Sequence, residues 1–481
     1  MNYFIILFFL KISISEIIKI PLGILNPKNT SENYPLITEL FFLKPYINIT
    51  IGTPPQLIPL LFLKDSFSLF IHENNFNRNK SSTFTSSDSP IPYFLDFYST
   101  GYPSKDIINF GNYQGKKFFD FVLSVFYDNN YGCVGMKIPR ENKDELPSFS
   151  SLLKQNQIIS NNIWTVKINN FDYNTFQENG FGKADLILGG YPHEYETNKK
   201  KYNEKEYKYE DVPINNYKFY WDIYVKSIYI KSPDSGEKVF LTNINYRENQ
   251  VSLLYENFLI HGTQEYHDKI FKIFFDKYNY TKYNICTEKK IPQKSFWNYI
   301  ECSKNAQNNI LFDISKFPSI YFESIEFNKI FELSGQDLFV LDKESNTYIF
   351  LIIFPTNYVE KVWGLGIPFL KKYQFVFDED KKLIGYYNTQ ENENEEETVN
   401  KENENKINLY VLIVILLLVI LLLFALAFFL VYKLIYSKRR RKRANELEDD
   451  GYDYDNKLSI NNEFNDNEGI NDNNNNDNNI K

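Results

Sequence analysis

The stretch IGTPPQLIPLLFLKDSFSLFI, residues 51–71, sets a glycine- and proline-rich turn before a run of large apolar residues that ends at Lys64-Asp65. PLLFLKD within it reads as a strand, because a short apolar run bounded by turn residues is too brief for a helix. Similar runs recur along the chain: YINITIG, YFLDFY, WTVKI, ADLILGG, DIYVKSIYIKS, NTYIFLIIF and YQFVFDEDKKLIGYY are all strand-like. Few segments show a helical period, and SFSSLLKQNQI and QEYHDKIFKIFF are the best candidates. Residues 34–388 therefore read as a mostly β region of two lobes. The charged stretch HEYETNKKKYNEKEYKYED (193–211) is expected as a solvated surface insertion near their junction.

A chain of 481 residues suits two or three units, and a hydrophobic share of 43% supplies a large core. Tyr and Phe dominate the aromatic 17%, which fits β structure better than a helical bundle. The formal net charge of −8 gives no general pull toward nucleic acid. Four His and three Cys leave zinc-finger and Cys-cluster readings without ligands, so neither metal nor cofactor is expected.

The two ends decide the compartment. MNYFIILFFLKISIS (1–15) reads as a secretory signal peptide, the alternative being a buried first strand. LYVLIVILLLVILLLFALAFFLVY (409–432) is an uninterrupted apolar run. As a helix it covers ~36 Å, enough to cross a membrane with some tilt. KRRRKR (438–443) follows it, while the other flank, ENENEEETVNKENENK, is mostly acidic. The positive-inside rule then makes this a single-pass type I protein of the secretory pathway or cell surface, with a cytoplasmic C-terminus. The basic run is also expected to touch anionic lipid, and the acidic, Asn-rich tail after it has the composition of disorder. Glycosylation sequons stand at Asn29, Asn48, Asn79 and Asn279. Cys286 and Cys302 are candidates to pair in an oxidising lumen, worth roughly 3 kcal/mol for a loop of that length. Cys133, in YGCVGM, reads as a buried free thiol.

Eight segments, in order, resemble the pepsin-like aspartic proteases (peptidase A1). They are IGTPPQ (51–56), SSTF (81–84), FYSTG (97–101), YGCVGM (131–136), LILGGYP (186–192), FYWDIYVKSIYI (219–230), FPSIYF (317–322) and VWGLGIPFLKKYQFVFD (362–378). The resemblance runs from Tyr46 to Tyr387. It implies a bilobal β fold, a peptide cleft between the lobes with a hairpin flap over it, and one catalytic Asp from each lobe. The expected organisation is a signal peptide (1–15), a short pro-like or N-terminal segment (16–45), an N-terminal lobe (46–205) and a C-terminal lobe (206–388). An acidic linker (389–408), the membrane helix (409–432) and the cytoplasmic stop and tail (433–481) complete it. IIKIPLG (17–23) looks like the start of that family's propeptide, although little room remains before Tyr46 for a full one.

The family's chemistry needs two carboxylates a few ångströms apart that share one proton and activate a water. Each normally opens an Asp-Thr-Gly or Asp-Ser-Gly turn. In the family, twelve residues separate the Gln of IGTPPQ from the Leu-Trp pair after the first such turn. Here residues 57–68 separate Gln56 from Leu69-Phe70, so the ungapped triplet is Leu63-Lys64-Asp65 and the aspartate position holds Leu63. In the second lobe, matching FLIHG of VSLLYENFLIHGT (251–263) to the family's Ser-Leu-Leu-Thr-Gly puts the triplet at Leu254-Tyr255-Glu256. No Asp-Thr-Gly or Asp-Ser-Gly exists anywhere in the chain.

Leucine neither ionises nor hydrogen-bonds, so the reading is an inactive pseudoprotease that binds a peptide or protein ligand in the cleft. The alternative is an endopeptidase using displaced acids. Asp65 and Glu256 each lie two residues on from the lost aspartate, and i and i+2 share a face in extended chain. Against it, the resemblance implies a turn too tight for a side chain at the third, Gly position. A third reading is a surface glycoprotein whose cleft is unused. Tyr98 of FYSTG matches the family's flap tyrosine, or is simply a strand tyrosine. Cys133-Val134-Gly135 and Gly364-Leu365-Gly366 match the family's apolar-apolar-Gly elements, the second with Gly at one apolar position.

Overall fold

A computed structural model of the chain describes residues 17–25, 35–66, 68–95, 97–115, 117–124, 131–139, 146–169, 183–215, 218–231, 236–241, 249–292, 294–305, 310–356, 362–388, 427 and 431–439. They fall into two compact units, Met1–Gln390 and Glu391–Lys481.

The first unit is mostly β, and the opening stretch shows why. In the strand Gln56–Leu63 the even positions Ile58, Leu60 and Phe62 are fully buried, while Leu61 and Leu63 on the opposite face are half-buried. That alternation is the period-two pattern of a strand with one face on the core. Gln56–Leu63 pairs antiparallel with Lys44–Ile51 and parallel with Gly132–Gly135. After Leu63 the chain turns and returns as Leu69–His72, antiparallel to Gly132–Gly135 on its other side. One strand thus threads between the two arms of a loop. A Cβ at Gly132 would run into the Phe70 carbonyl oxygen, so the threading needs glycine there.

The same arrangement recurs in the second half. Gln250–Leu253 runs parallel to Trp363–Leu365, and Ile260–His261 returns antiparallel to it. Around these loops stand a 14-stranded sheet and, in the later part of the chain, sheets of nine and four strands. The large sheet crosses the expected lobe boundary at 205/206. Tyr207–Asp211, Phe375–Asp378 and Leu383–Tyr387 join Ile163–Asn169 and Lys183–Leu188 in it. At its centre Trp164 stacks on Phe377, with ring centroids 3.9 Å apart, and Phe62, Trp221 and Tyr255 close edge-on around them.

Two further segments join the large sheet, and the second of them corrects an expectation. The pro-like segment is part of the core. Ile18–Leu25 pairs with Lys183–Leu188 on one side and Lys44–Ile51 on the other, and Ile18, Ile20 and Leu22 are buried. The short helix Leu36–Phe42 adds Leu36, Ile37 and Leu40 to that core. The charged stretch 193–211 is only partly a solvated insertion, because its last five residues form the strand Tyr207–Asp211 against Leu383–Tyr387. Tyr202 packs with Ile163, Val376 and Tyr387, and Glu210 is buried. Tyrosines spaced through the charge run gave it an apolar face that net charge concealed.

In the second unit residues 431–439 are helical. Of the apolar run 409–432, only Ala427, Val431 and Tyr432 lie within the described residues. No helix among the described residues is long and apolar enough to cross a membrane. The signal segment 1–15 and linker 389–408 lie outside the described residues.

Candidate functional site

The site is the pair of turns at which the two threaded loops meet. Leu63 ends its strand opposite Gly135, and its carbonyl accepts from Met136 N at 3.0 Å. Leu253 pairs with Leu365, and the next amide, Leu254 N, donates to the Leu365 carbonyl at 2.9 Å, which sets Leu254 beside Gly366. Leu63 and Leu254 therefore hold equivalent register positions in the two loops. Leu63 packs against a small apolar cluster of Phe70, Val122 and Cys133. Leu254 lies where a Cβ on Gly364 would go, which explains the glycine at an otherwise apolar position.

The middle residues of both triplets point across the lobe junction. Tyr255 is 2% exposed and enters the aromatic cluster of Phe62, Trp164 and Phe377. Lys64 is fully buried, with 1% of its side chain exposed. Its Nζ lies 3.0 Å from Ser252 Oγ and 3.3 Å from both Asp222 Oδ1 and Asp65 Oδ2. Ser252 Oγ and Gln250 Nε2 each donate to Asp222 at 2.7 Å, so both of its carboxylate oxygens are satisfied. Burial by itself pulls the Lys64 pKa down; the carboxylates of Asp65 and Asp222 outweigh it and hold the ammonium above the usual lysine range.

Both third positions carry side chains where the resemblance expects glycine, and their surroundings differ. Asp65 keeps 49% of its side chain in solvent while paired to Lys64. Of the first turn's described residues, Ser68 is the one that takes a positive φ, at 57°. Glu256 is partly exposed as a residue, but its Oε2 is sealed from solvent and has no hydrogen-bond partner among the described residues. Burial, then the charge of Asp65, raises its pKa to about 7 against the pull of Lys64 and Lys44. Lys44 reaches in from the start of its strand, its Nζ 3.3 Å from both the Glu256 carbonyl and Asn257 Oδ1. Burial lowers the Lys44 pKa, and burial followed by the Lys44 charge lowers that of His261 to about 4.

Lys44, Lys64 and Asp222 have no role in the sequence reading, although Lys64 falls in the first triplet and Asp222 in FYWDIYVKSIYI. The available signal is charge at the edge of or inside an apolar run, Lys64-Asp65 in FLKD and Asp222 in YWDI. Tyr98 stands opposite Phe94 in the hairpin of Ile91–Leu95 and Phe97–Phe110, and its side chain lies outside the described part. Cys286 and Cys302 form a disulfide across paired strands. Cys133 is a buried free thiol, 3.5 Å from Ser66 Oγ, and burial pushes its pKa up to about 12. Asn48, Asn79 and Asn279 are exposed, and Asn29 lies outside the described residues.

The sequence matches the family described as eukaryotic aspartyl protease over residues 45–388. No curated protein matches the chain.

Proposed function

Because the chain belongs to the eukaryotic aspartyl protease family over residues 45–388, we propose that it is a catalytically inactive member that binds a peptide or protein ligand in its cleft. The observation that carries this reading is the register equivalence of Leu63 and Leu254, at the two positions where the resemblance expects acids. Neither side chain holds a proton or orients a water, and losing both members of a catalytic unit removes the unit. Purified full-length chain is expected to cleave no quenched fluorescent peptide pool above the buffer rate between about pH 3 and 7, where carboxylate pairs of this kind work. It is also expected to bind no pepstatin-type inhibitor. Turnover that disappears in Asp65→Asn would overturn the reading.

One observation favours a second reading, the displaced-acid endopeptidase. The charge of Asp65 helps Glu256 keep its proton toward pH 7, beside an Asp65 that is ion-paired. Two carboxyls in unlike environments are how acid and base roles are divided. Opposing it, one oxygen of Asp65 already faces the Lys64 ammonium.

We further propose type I topology: signal peptide at 1–15, membrane helix at 409–432 and the basic run 438–443 at the anionic cytoplasmic leaflet. In microsomes, protease is expected to remove only the tail after residue 432, and endoglycosidase to shift the protected fragment. Loss of the whole chain to protease would contradict this topology.

A further inference from the structure

We infer that an aromatic groove in the second lobe seats the glycan carried by Asn279, whose first N-acetylglucosamine units lie along the rings of Tyr278, Tyr280, Phe312 and Tyr348. The inference rests on the lumenal placement proposed above and gives one sequon a receptor within its own chain.

The groove has a volume of about 860 Å³, within the ~300–1,000 Å³ of ordinary small-ligand sites. Its wall is a series of rings in edge-on or tilted contact. Tyr278 meets Tyr280 at 5.8 Å between centroids, Tyr280 meets Phe312 at 5.3 Å, and Phe312 meets Tyr348 at 5.8 Å. Tyr280 and Phe312 are buried at the back of the wall, while Tyr278 and Tyr348 keep part of their surface in water. Along the rim stand the exposed polar side chains of Ser315, Lys316 and Gln336. Asp313 is already engaged by Ser315 and Lys316, and Lys371, the remaining charged lining residue, is half-buried.

An aromatic wall with a polar rim suits a saccharide. One face of the sugar ring is lined with C–H groups and packs on aromatic rings, while its hydroxyls and acetamide reach the donors and acceptors beside it. An aliphatic guest would leave the rim unused.

The chain itself commits the groove to one guest. Asn279 is exposed and stands between Tyr278 and Tyr280, where the ring series begins. It occupies a turn: its amide donates to the Asp276 carbonyl at 2.9 Å, and its φ of 58° is a left-handed conformation in which asparagine is enriched. Asn279 does not itself line the groove, so the sugar and not the asparagine fills it. A glycan tethered beside the rings has a high effective concentration there, and even a weak stack is then occupied. Asn48 is flanked by Ile47 and Ile49, and Asn79 by Arg78 and Lys80, none of which lines this groove. Once seated, the glycan covers the half-exposed rings and closes this face of the lobe to other ligands.

The test uses full-length chain from glycosylating cells, its glycans held in the oligomannose form, solubilised in detergent. An endoglycosidase that cuts between the first two sugars is applied, and release is followed site by site by mass spectrometry. Release scales with the unseated fraction, so the Asn279 glycan is expected to leave roughly tenfold more slowly than those on Asn48 and Asn79. After denaturation all three are expected to leave at the same rate. Tyr348→Ala is expected to bring native release at Asn279 close to that of the other sites. Gln336→Trp, which sets a bulky ring in the groove from an exposed position, is expected to do the same. Native release at Asn279 as fast as elsewhere, slow release that persists in both variants, or a bare Asn279 beside glycosylated Asn48 and Asn79 overturns this inference and leaves the topology standing. Sugar at none of the sequons removes both.

Discussion

Lys64→Ala is expected to lower folding stability by about 3–5 kcal/mol, the cost of stranding a buried charge. The partner left behind is Asp222, whose side chain is 7% exposed. Its hydrogen bonds from Ser252 and Gln250 would remain, but its counter-ion would not. Asp65 would be affected much less, because half of its side chain is already in water. The charge itself is not what the fold requires. A matched replacement, Lys64→Met with Asp222→Asn, removes both ions together and is expected to recover most of the loss. All four tryptophans, at 164, 221, 297 and 363, lie in the first unit, so urea unfolding followed by their fluorescence reads that unit alone. A loss under about 1 kcal/mol for Lys64→Ala would mean that water reaches Asp222 and that the bridge between the lobes is weak.

That bridge also marks the limit of what the sequence disclosed. The strands were legible because their apolar runs are short and punctuated, and the threaded loops because YGCVGM and VWGLG keep glycine where backbones cross. The equivalence of Leu63 and Leu254 followed from spacing in the first lobe and from a softer match in the second. The partners of Lys64 were illegible. It lies 158 residues from Asp222 and 188 from Ser252, and neither helical nor strand periodicity links residues so far apart. The packing of segment 16–45 is illegible for a related reason. A strand buried between two others shows its role only when both neighbours are known, and one of them, Lys183–Leu188, lies far downstream. The stretch 193–211 misled because charge was counted while the placing of its tyrosines was not.

Stability of the first unit is expected to be about 4 kcal/mol greater at pH 5.5 than at pH 8.5, by linkage between the raised pKa values of its buried carboxyls and their unfolded counterparts. The dominant group is Glu210. Burial raises its pKa to about 8, with Glu326 and Asp211 adding to the rise and the Tyr224 amide opposing it. That amide donates to Oε1 at 3.0 Å, while Oε2 has no partner among the described residues. Glu256, at about 7, acts in the same direction, and Glu379 is also raised by burial despite three serine hydroxyls. For such groups the folded state holds a proton that the unfolded state has released. Their contribution is therefore complete below the unfolded pKa of about 4.5 and is lost as pH rises through 7 and 8. His261 has the opposite sign: its pKa is lowered to about 4, so stability falls as pH drops below about 6.5 and the unfolded histidine takes up a proton. His267 offsets part of that, because Glu288 and Asp268 overcome its burial and raise its pKa. Urea titrations at the two pH values read the difference, and Glu210→Gln is expected to remove more than half of it by raising stability at pH 8.5. A fold equally stable at both values, or more stable at pH 8.5, would show that Glu210 and Glu256 are ionised and solvated in the folded chain.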